Sequence, residues 1–241
     1  MQDCNVGDLE AVYAWPEGRW VRAMMLHSLD GAAAGPDGRS GSISSPADRR
    51  VLAEVRRLAD AVVIGAETMR VERYSPMRAK PEAAEARAAA GLAVSPVLVI
   101  VSESLDLPWD EPVFTESAIT PIVICGSGAD HRARRRASEH ADLVVMDGPE
   151  ITASALLDVL TARGLRRIVC EGGWRLLRML IEADAVDELD FTIAPWLIGR
   201  PSESVALPVP APHRFIPVSM MVDEGFAFMR YRRAGTGAAR P

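Results

Sequence analysis

Val55-Arg56-Arg57-Leu58-Ala59-Asp60-Ala61-Val62-Val63-Ile64-Gly65 is the stretch whose reading decides the fold. It begins as the end of a helix. Ser45 precedes Pro46, a capping side chain followed by a ring that fits the first helical turn, and Val51, Leu52, Val55 and Leu58 then recur at helical spacing. It ends as the apolar run Ala61 to Ile64, with no polar alternation, closed by Gly65. A strand that is apolar on every side is buried on both faces, the condition of a parallel sheet covered by helices.

Runs of the same kind follow at Pro96–Val101, Pro121–Cys125, Leu143–Met146 and Arg167–Cys170. Helical patterns fall at about 130–139, 151–163 and 173–183 between and after them. Short buried strands alternating with helices predict an α/β fold, a mostly parallel central sheet with right-handed crossovers and helices on both faces. Upstream, Arg19–Leu26 reads as a first strand and Ser28–Ser45 as an irregular segment rich in Gly, Ser and Ala. Val186–Ala194 and Phe215–Tyr231 read as strands with no helix between them, so an antiparallel C-terminal pair is expected to close one side. Residues 1–18 are read as a lead-in, 72–95 as a surface loop with a short helix, and 234–241 as a disordered tail. No repeat or linker divides the 241 residues, which suit one domain.

The formal net charge of −6 excludes a nucleic-acid footprint, which needs a basic face. The cluster His131–Arg136 reads as the solvated side of a helix. Cys4, Cys125 and Cys170 are odd in number and far apart; the last two end apolar runs and read as buried thiols, as in a reducing cytoplasm. No apolar run reaches the ~18 residues of a membrane helix, and the first residues do not read as a signal peptide.

Four strand exits carry chemistry. Glu171-Gly172-Gly173 lies between a strand and a helix, where paired glycines let backbone approach a phosphate and the helix N-terminus favours an anion. It lacks the spacing of a Rossmann fingerprint and the lysine of a P-loop. Gly65-Ala66-Glu67-Thr68 repeats the pattern, with a hydroxyl in the first helical turn. Ser102 follows the run Val99–Val101, and Ser28-Leu29-Asp30-Gly31 follows the first strand. Each alone reads equally as a turn or a cap. In a parallel sheet their exits converge on one edge, where ligands of open α/β sheets bind.

The chain resembles the pyrimidine reductase family of riboflavin biosynthesis, which has a dihydrofolate-reductase-like fold. The resemblance rests on Ser28-Leu29-Asp30-Gly31, Ser44 to Asp48, Val55 to Gly65 with Thr68, Val99 to Ser102, Glu171-Gly172-Gly173, Val186 to Leu189, Ala194-Pro195 and Gly199, in that order over about residues 19–200. It implies hydride transfer from NADPH to C1′ of a ribosylamino-pyrimidine 5′-phosphate, opening the ribose to a ribityl chain, with no metal. It also implies cofactor contacts from Gly65, Thr68, Ser102, Gly172, Gly173, Trp174, Arg175 and Leu176. Ser40, Arg56 and Glu171 become substrate contacts, and Asp30 the residue that orients or protonates reacting groups. A homodimer is implied through the C-terminal strands. Three departures mark the chain. Ser42 stands where members commonly carry Trp, Glu72-Arg73-Tyr74 replaces an Asp-Asp-Pro run, and Arg78 alone could stand for a substrate-loop arginine. The zinc-deaminase signature of bifunctional relatives is absent from the sequence. Two other readings stay open at this stage: a diverged NADPH-dependent reductase of dihydrofolate or a related pterin, and a non-catalytic nucleotide-binding dimer.

Overall fold

The computed structural model describes residues 2–3, 9–199 and 209–235; Cys4 and residues 236–241 of the expected tail lie outside them. In chain order the elements are β1 (Gln2–Asp3), α1 (Leu9–Val12), β2 (Trp20–Ser28), α2 (Pro46–Arg57), β3 (Ala61–Gly65), α3 (Ala66–Glu72), α4 (Pro81–Ala89), β4 (Val97–Val101), α5 (Val113–Glu116), β5 (Ile122–Cys125), α6 (His131–His140), β6 (Asp142–Val145), α7 (Ala153–Ala162), β7 (Arg167–Cys170), α8 (Trp174–Glu182), β8 (Glu188–Ala194), β9 (Phe215–Asp223) and β10 (Phe226–Arg233). α2, α6 and α7 start where a short polar side chain takes up an orphan N–H. Ser45 Oγ accepts from Asp48 N at 3.1 Å, Asp130 Oδ1 from Arg132 N at 2.9 Å, and Thr152 Oγ1 from Ala155 N at 3.3 Å. Such a cap contributes ~1 kcal/mol.

The strands form one ten-stranded sheet in the order β1-β9-β10-β8-β2-β7-β3-β4-β5-β6. From β8 to β6 every pairing is parallel. β10 alone runs the other way, between β8 and β9, and supplies the expected antiparallel C-terminal pair. Glu224 and Gly225 join β9 to β10 with φ of 53° and 81°, the left-handed backbone that a two-residue hairpin turn requires. This turn is fastened to α2: Ala47 N donates to Glu224 Oε2 at 3.2 Å, and Arg50 Nη2 pairs with Asp223 Oδ2 at 2.7 Å.

Alternate residues of each strand feed opposite cores. Val63, Val99, Ile124 and Cys170 pack with Leu156, Leu160, Leu177 and Leu180 of α7 and α8. Ile64, Leu98 and Val123 face Met69 of α3, Val113 and Phe114 of α5, and Ala137 of α6. Val51 and Val55 of α2 pack beside them against Val169, Met221 and Phe228. Helices thus cover both faces, as expected. Cys125 and Cys170 are free buried thiols, and burial pushes Cys170 up to about 12.

Three features were not foreseen. β2 runs on to Ser28, beyond Leu26. Part of the lead-in is packed: Tyr13 is 3% exposed, and its ring lies 4.9 Å from the Arg230 guanidinium, while Trp15 lies 4.5 Å from that of Arg22. These rings help cover a buried ionic cluster on β2, β8 and β10. In it Arg22 Nε and Arg230 Nη2 donate to Glu188 Oε1 at 2.8 and 2.9 Å, and Asp190 Oδ2 stands 3.4 Å from Arg22 Nε.

Candidate functional site

The exits of β3 and β7 meet at the carboxyl edge of the sheet. Glu171 N donates to Val63 O at 3.0 Å and Gly65 N to Gly172 O at 2.8 Å, so residues 171–172 continue the pairing past the end of β7. Gly172 has φ +88° and precedes a cis peptide to Gly173. A Cβ at Gly173 would stand 3.1 Å from Thr68 Oγ1, and one at Gly65 would stand 3.4 Å from Gly173 N. Glycine at these positions lets two strand exits and one hydroxyl close on a single point. Gly173 caps α8 with no side-chain hydrogen bond, leaving the first N–H groups of that helix to an outside acceptor. Of the residues that follow, Trp174 is half-buried and Arg175 exposed.

Leu176 is 6% exposed and its side chain belongs to the core under α8, so only its backbone N–H, in the first turn of that helix, is left for an outside acceptor. Ser102 is 2% exposed, and its Oγ accepts from Leu105 N at 3.0 Å; it closes a turn after β4 and is not presented at the edge.

The expected substrate residues are brought together, but with each other. Arg56 Nε donates to Glu171 Oε1 at 2.6 Å and Arg56 Nη2 to Glu171 Oε2 at 2.5 Å, a bidentate pair. Tyr74 Oη donates to Glu171 Oε2 at 2.8 Å, and its ring centre lies 5.5 Å from the Arg56 guanidinium. Burial works against the charge of Arg56, but the Glu171 carboxylate outweighs it and raises the guanidinium above its ordinary value. Burial, then the Glu171 charge, pushes the Tyr74 phenol well up, so it stays protonated and donates. Ser40 joins through its backbone: Ser40 N donates to Glu72 Oε1 at 2.8 Å. Ser42 Oγ donates to Asp37 Oδ1 at 2.6 Å, stitching its own loop. Arg78 pairs with Glu116 at 3.2 Å and Arg73 with Glu111 at 2.9 Å, away from this cluster.

Asp30 stands at the mouth of the edge, where its carboxylate is bonded to its own loop and to the loop after β8. It accepts from Ser28 Oγ at 2.5 Å, from Gly199 N at 2.7 Å and from Ile198 N at 3.0 Å. These donors, the Ser28 hydroxyl first, lower its carboxyl from 3.8 to about 2. A group so held has no proton to give near neutrality. Asp30 clamps the loop after β8, which displays Trp196 and Leu197 beside Leu29, three exposed apolar side chains.

Sequence reasoning named Glu72 and Tyr74 only as departures. No spacing signal could place them, since Tyr74 meets a residue 97 positions away. Among the described residues, no group of His, Cys, Asp and Glu could hold a metal, and no helix is long and apolar enough to cross a membrane. A cavity of about 340 Å3 opens at the opposite edge of the sheet, between Asp60, Val97, Ile122, Asp142 and Arg163, and shares no residue with this site.

The family model of the RibD C-terminal domain matches residues 19–212. A 2,5-diamino-6-ribosylamino-4(3H)-pyrimidinone 5′-phosphate reductase of Archaeoglobus fulgidus is 27% identical over 180 residues, 75% of this chain and 82% of that protein. The riboflavin biosynthesis protein RibD of Bacillus amyloliquefaciens is 28% identical over 181 residues, but these are 46% of its length. The crystal structure of a pyrimidine reductase-like protein from Corynebacterium diphtheriae superposes with a TM-score of 0.82 at 26% identity, covering 93% of this chain and 98% of that one. The chain therefore belongs to the RibD C-terminal domain family, the pyrimidine reductases of riboflavin biosynthesis.

Proposed function

We propose that this chain is a single-domain, NADPH-dependent reductase that converts the ribosyl group of a ribosylamino-pyrimidine 5′-phosphate to ribityl. The observation that carries the reading is the meeting of Gly65, Thr68, Gly172 and Gly173 at one point of the carboxyl edge, with the Arg56–Glu171 pair next in sequence to it. Gly65, Thr68 and the backbone from Gly172 to Leu176 would hold the cofactor. The fit rests on two features: a glycine cradle that a Cβ would fill, and helix N–H groups that no side chain caps. A bound reduced nicotinamide supplies hydride. Arg56, Glu171 and the Ser40 loop would hold and orient the substrate, and the Asp30 clamp would set the apolar lip of Leu29, Trp196 and Leu197 that limits water at the mouth.

The working form is a cytoplasmic homodimer. The sheet face opposite the ionic cluster carries Met25, Phe191, Met229 and Met220 in one paired row and His27, Ile193, Ala227 and Val222 in the next. Val222 is 66% exposed there, and sedimentation velocity tests whether a second copy covers these rows. The deciding assay follows NADPH oxidation with the ribosylamino-uracil 5′-phosphate and with dihydrofolate. Turnover of the pyrimidine alone is expected; turnover of dihydrofolate alone overturns the assignment.

A further inference from the structure

Residues 9–15 precede the stretch matched by the family model, which begins at residue 19. They are nevertheless built into the body of the protein. Tyr13 N donates to Leu9 O at 2.8 Å, closing one helical turn, and Leu9, Val12, Tyr13 and Trp15 pack into the core that holds Val51 and Val55 of α2. The same segment meets the sheet. Arg22 Nη1 donates to Tyr13 O at 3.1 Å and Arg22 Nη2 to Ala14 O at 3.4 Å. The Tyr13 ring centre lies 4.9 Å from the Arg230 guanidinium and 5.6 Å from that of Arg22. Attraction between a cation and a ring face is strongest where water is excluded, and both arginines are buried. Glu188 fixes both arginines in turn, so Tyr13 rests on a rigid charged floor. It is a spacer, with β2 and β10 on one side and α2 on the other.

The last turn of α2 is where this spacing reaches the site. Consecutive helical residues point about 100° apart, so Val55, Arg56 and Arg57 leave the turn in three directions. Val55 is fully buried in the core that also holds Tyr13. Arg57 Nη2 pairs with Glu10 Oε1 at 2.9 Å and ties the turn to α1. Arg56 reaches Glu171. A bidentate pair tolerates little displacement of its guanidinium, because two N–H vectors must stay aligned with two oxygens. The height of α2 above the sheet therefore decides whether Arg56 meets Glu171 squarely.

We propose that Tyr13, with the segment Leu9–Trp15 that carries it, is a positioning residue for Arg56: it wedges between the buried arginines of the sheet and α2, and so holds the Arg56 guanidinium in register with Glu171. Its effect on turnover rests on the reductase reading given above. Its effect on the placement of α2 can be read without turnover.

The test compares wild-type enzyme with Tyr13→Leu, which keeps an apolar side chain against α2 and removes the ring, and with Tyr13→Phe, which keeps the ring. Hydrogen exchange is followed by mass spectrometry in the last turns of α2 and in α8. Steady-state kinetics with the ribosylamino-uracil 5′-phosphate, and NADPH affinity, are measured well below each melting temperature. In Tyr13→Leu, exchange at the end of α2 should quicken about tenfold while that in α8 holds. KM for the pyrimidine should rise on the order of tenfold, with NADPH affinity within about twofold. Tyr13→Phe should match wild type in every reading. A lowered melting temperature with unchanged α2 exchange and unchanged KM overturns the proposal and leaves Tyr13 a plain stabiliser. Equal loss of α8 protection and of NADPH affinity also overturns it, since a general loosening spares neither. Should Tyr13→Leu fail to fold, Val12→Ala loosens the same contact with α2 from a half-buried position. It should quicken α2 exchange and raise KM about threefold, and no change in either overturns the proposal. If wild-type enzyme reduces no pyrimidine, the reductase reading fails, and α2 exchange alone decides the role of Tyr13.

Discussion

Arg87 shows how far a single side chain can depart from what its neighbourhood in sequence announces. It stands in an Ala- and Glu-rich stretch expected at the surface, yet it is 1% exposed. Its Nε donates to Ala93 O at 2.7 Å, and its Nη1 donates to Ala59 O at 2.7 Å and to Arg57 O at 3.1 Å. Burial lowers its pKa. The cation sits where α2 ends, among carbonyls at the negative pole of that helix. Arg87→Met keeps the apolar stem and removes the donors, leaving three carbonyls to find new partners. The expected loss is about 2–4 kcal/mol, measured by thermal or urea unfolding, with Arg87→Lys recovering part of it. A melting temperature equal to wild type would show the carbonyls to be satisfied without it. The same contrast runs through the site. Arg56 and Glu171 could each be singled out from sequence, but their mutual pairing across 115 positions could not. That pairing depends on β3 and β7 becoming neighbours, a fact of topology and not of local pattern.

At the level of elements, the readable parts were those whose burial is symmetric. β3, β4 and β5 have consecutive buried residues and appear in the sequence as unbroken apolar runs. α2 announces its start through Ser45 and Pro46. The edge strand β6, with no fully buried residue, runs from Asp142 to Val145 instead of Leu143 to Met146. The four-residue helices α1 and α5 are too short to show a period. The turn after β7 was readable as a glycine pair, and it also yields a prediction. Gly173→Ala places a methyl 3.1 Å from Thr68 Oγ1, tighter than ordinary contact. The displaced hydroxyl and turn should weaken NADPH binding about tenfold or more, seen by fluorescence titration, while the melting temperature changes little. Thr68→Ala removes the hydroxyl itself and should also weaken NADPH binding; unchanged affinity would take Thr68 out of the cofactor site.

The whole molecule carries an electrostatic liability inside its sheet. Glu188 is held below its ordinary value because Arg22 and then Arg230 overcome the burial that opposes its charge. Asp190 is raised well above 3.8, by burial first and by the neighbouring Glu188 charge second. For a carboxyl raised on folding, stability is fully present below its unfolded value and declines as pH rises toward the folded one. Asparagine at this position has nothing to ionise. The melting temperature of Asp190→Asn relative to wild type should therefore climb between about pH 4 and pH 7. A difference that stays flat over that interval would mean that Asp190 is ionised in the folded protein. A further consequence lies in the order in which the sheet can be assembled. β2 is made early, yet both of its edges belong to strands made late: β7 on one side, and on the other β8, preceded by Asp187, whose carboxylate receives the Val21 N–H at 2.9 Å. Until residues 167–194 have been made, the segment Trp20 to Ser28 lacks one or both of the strands it pairs with. A nascent chain stalled before Glu188 would expose this template for cross-pairing, and such truncated products should be captured by holdase chaperones or found in inclusion bodies.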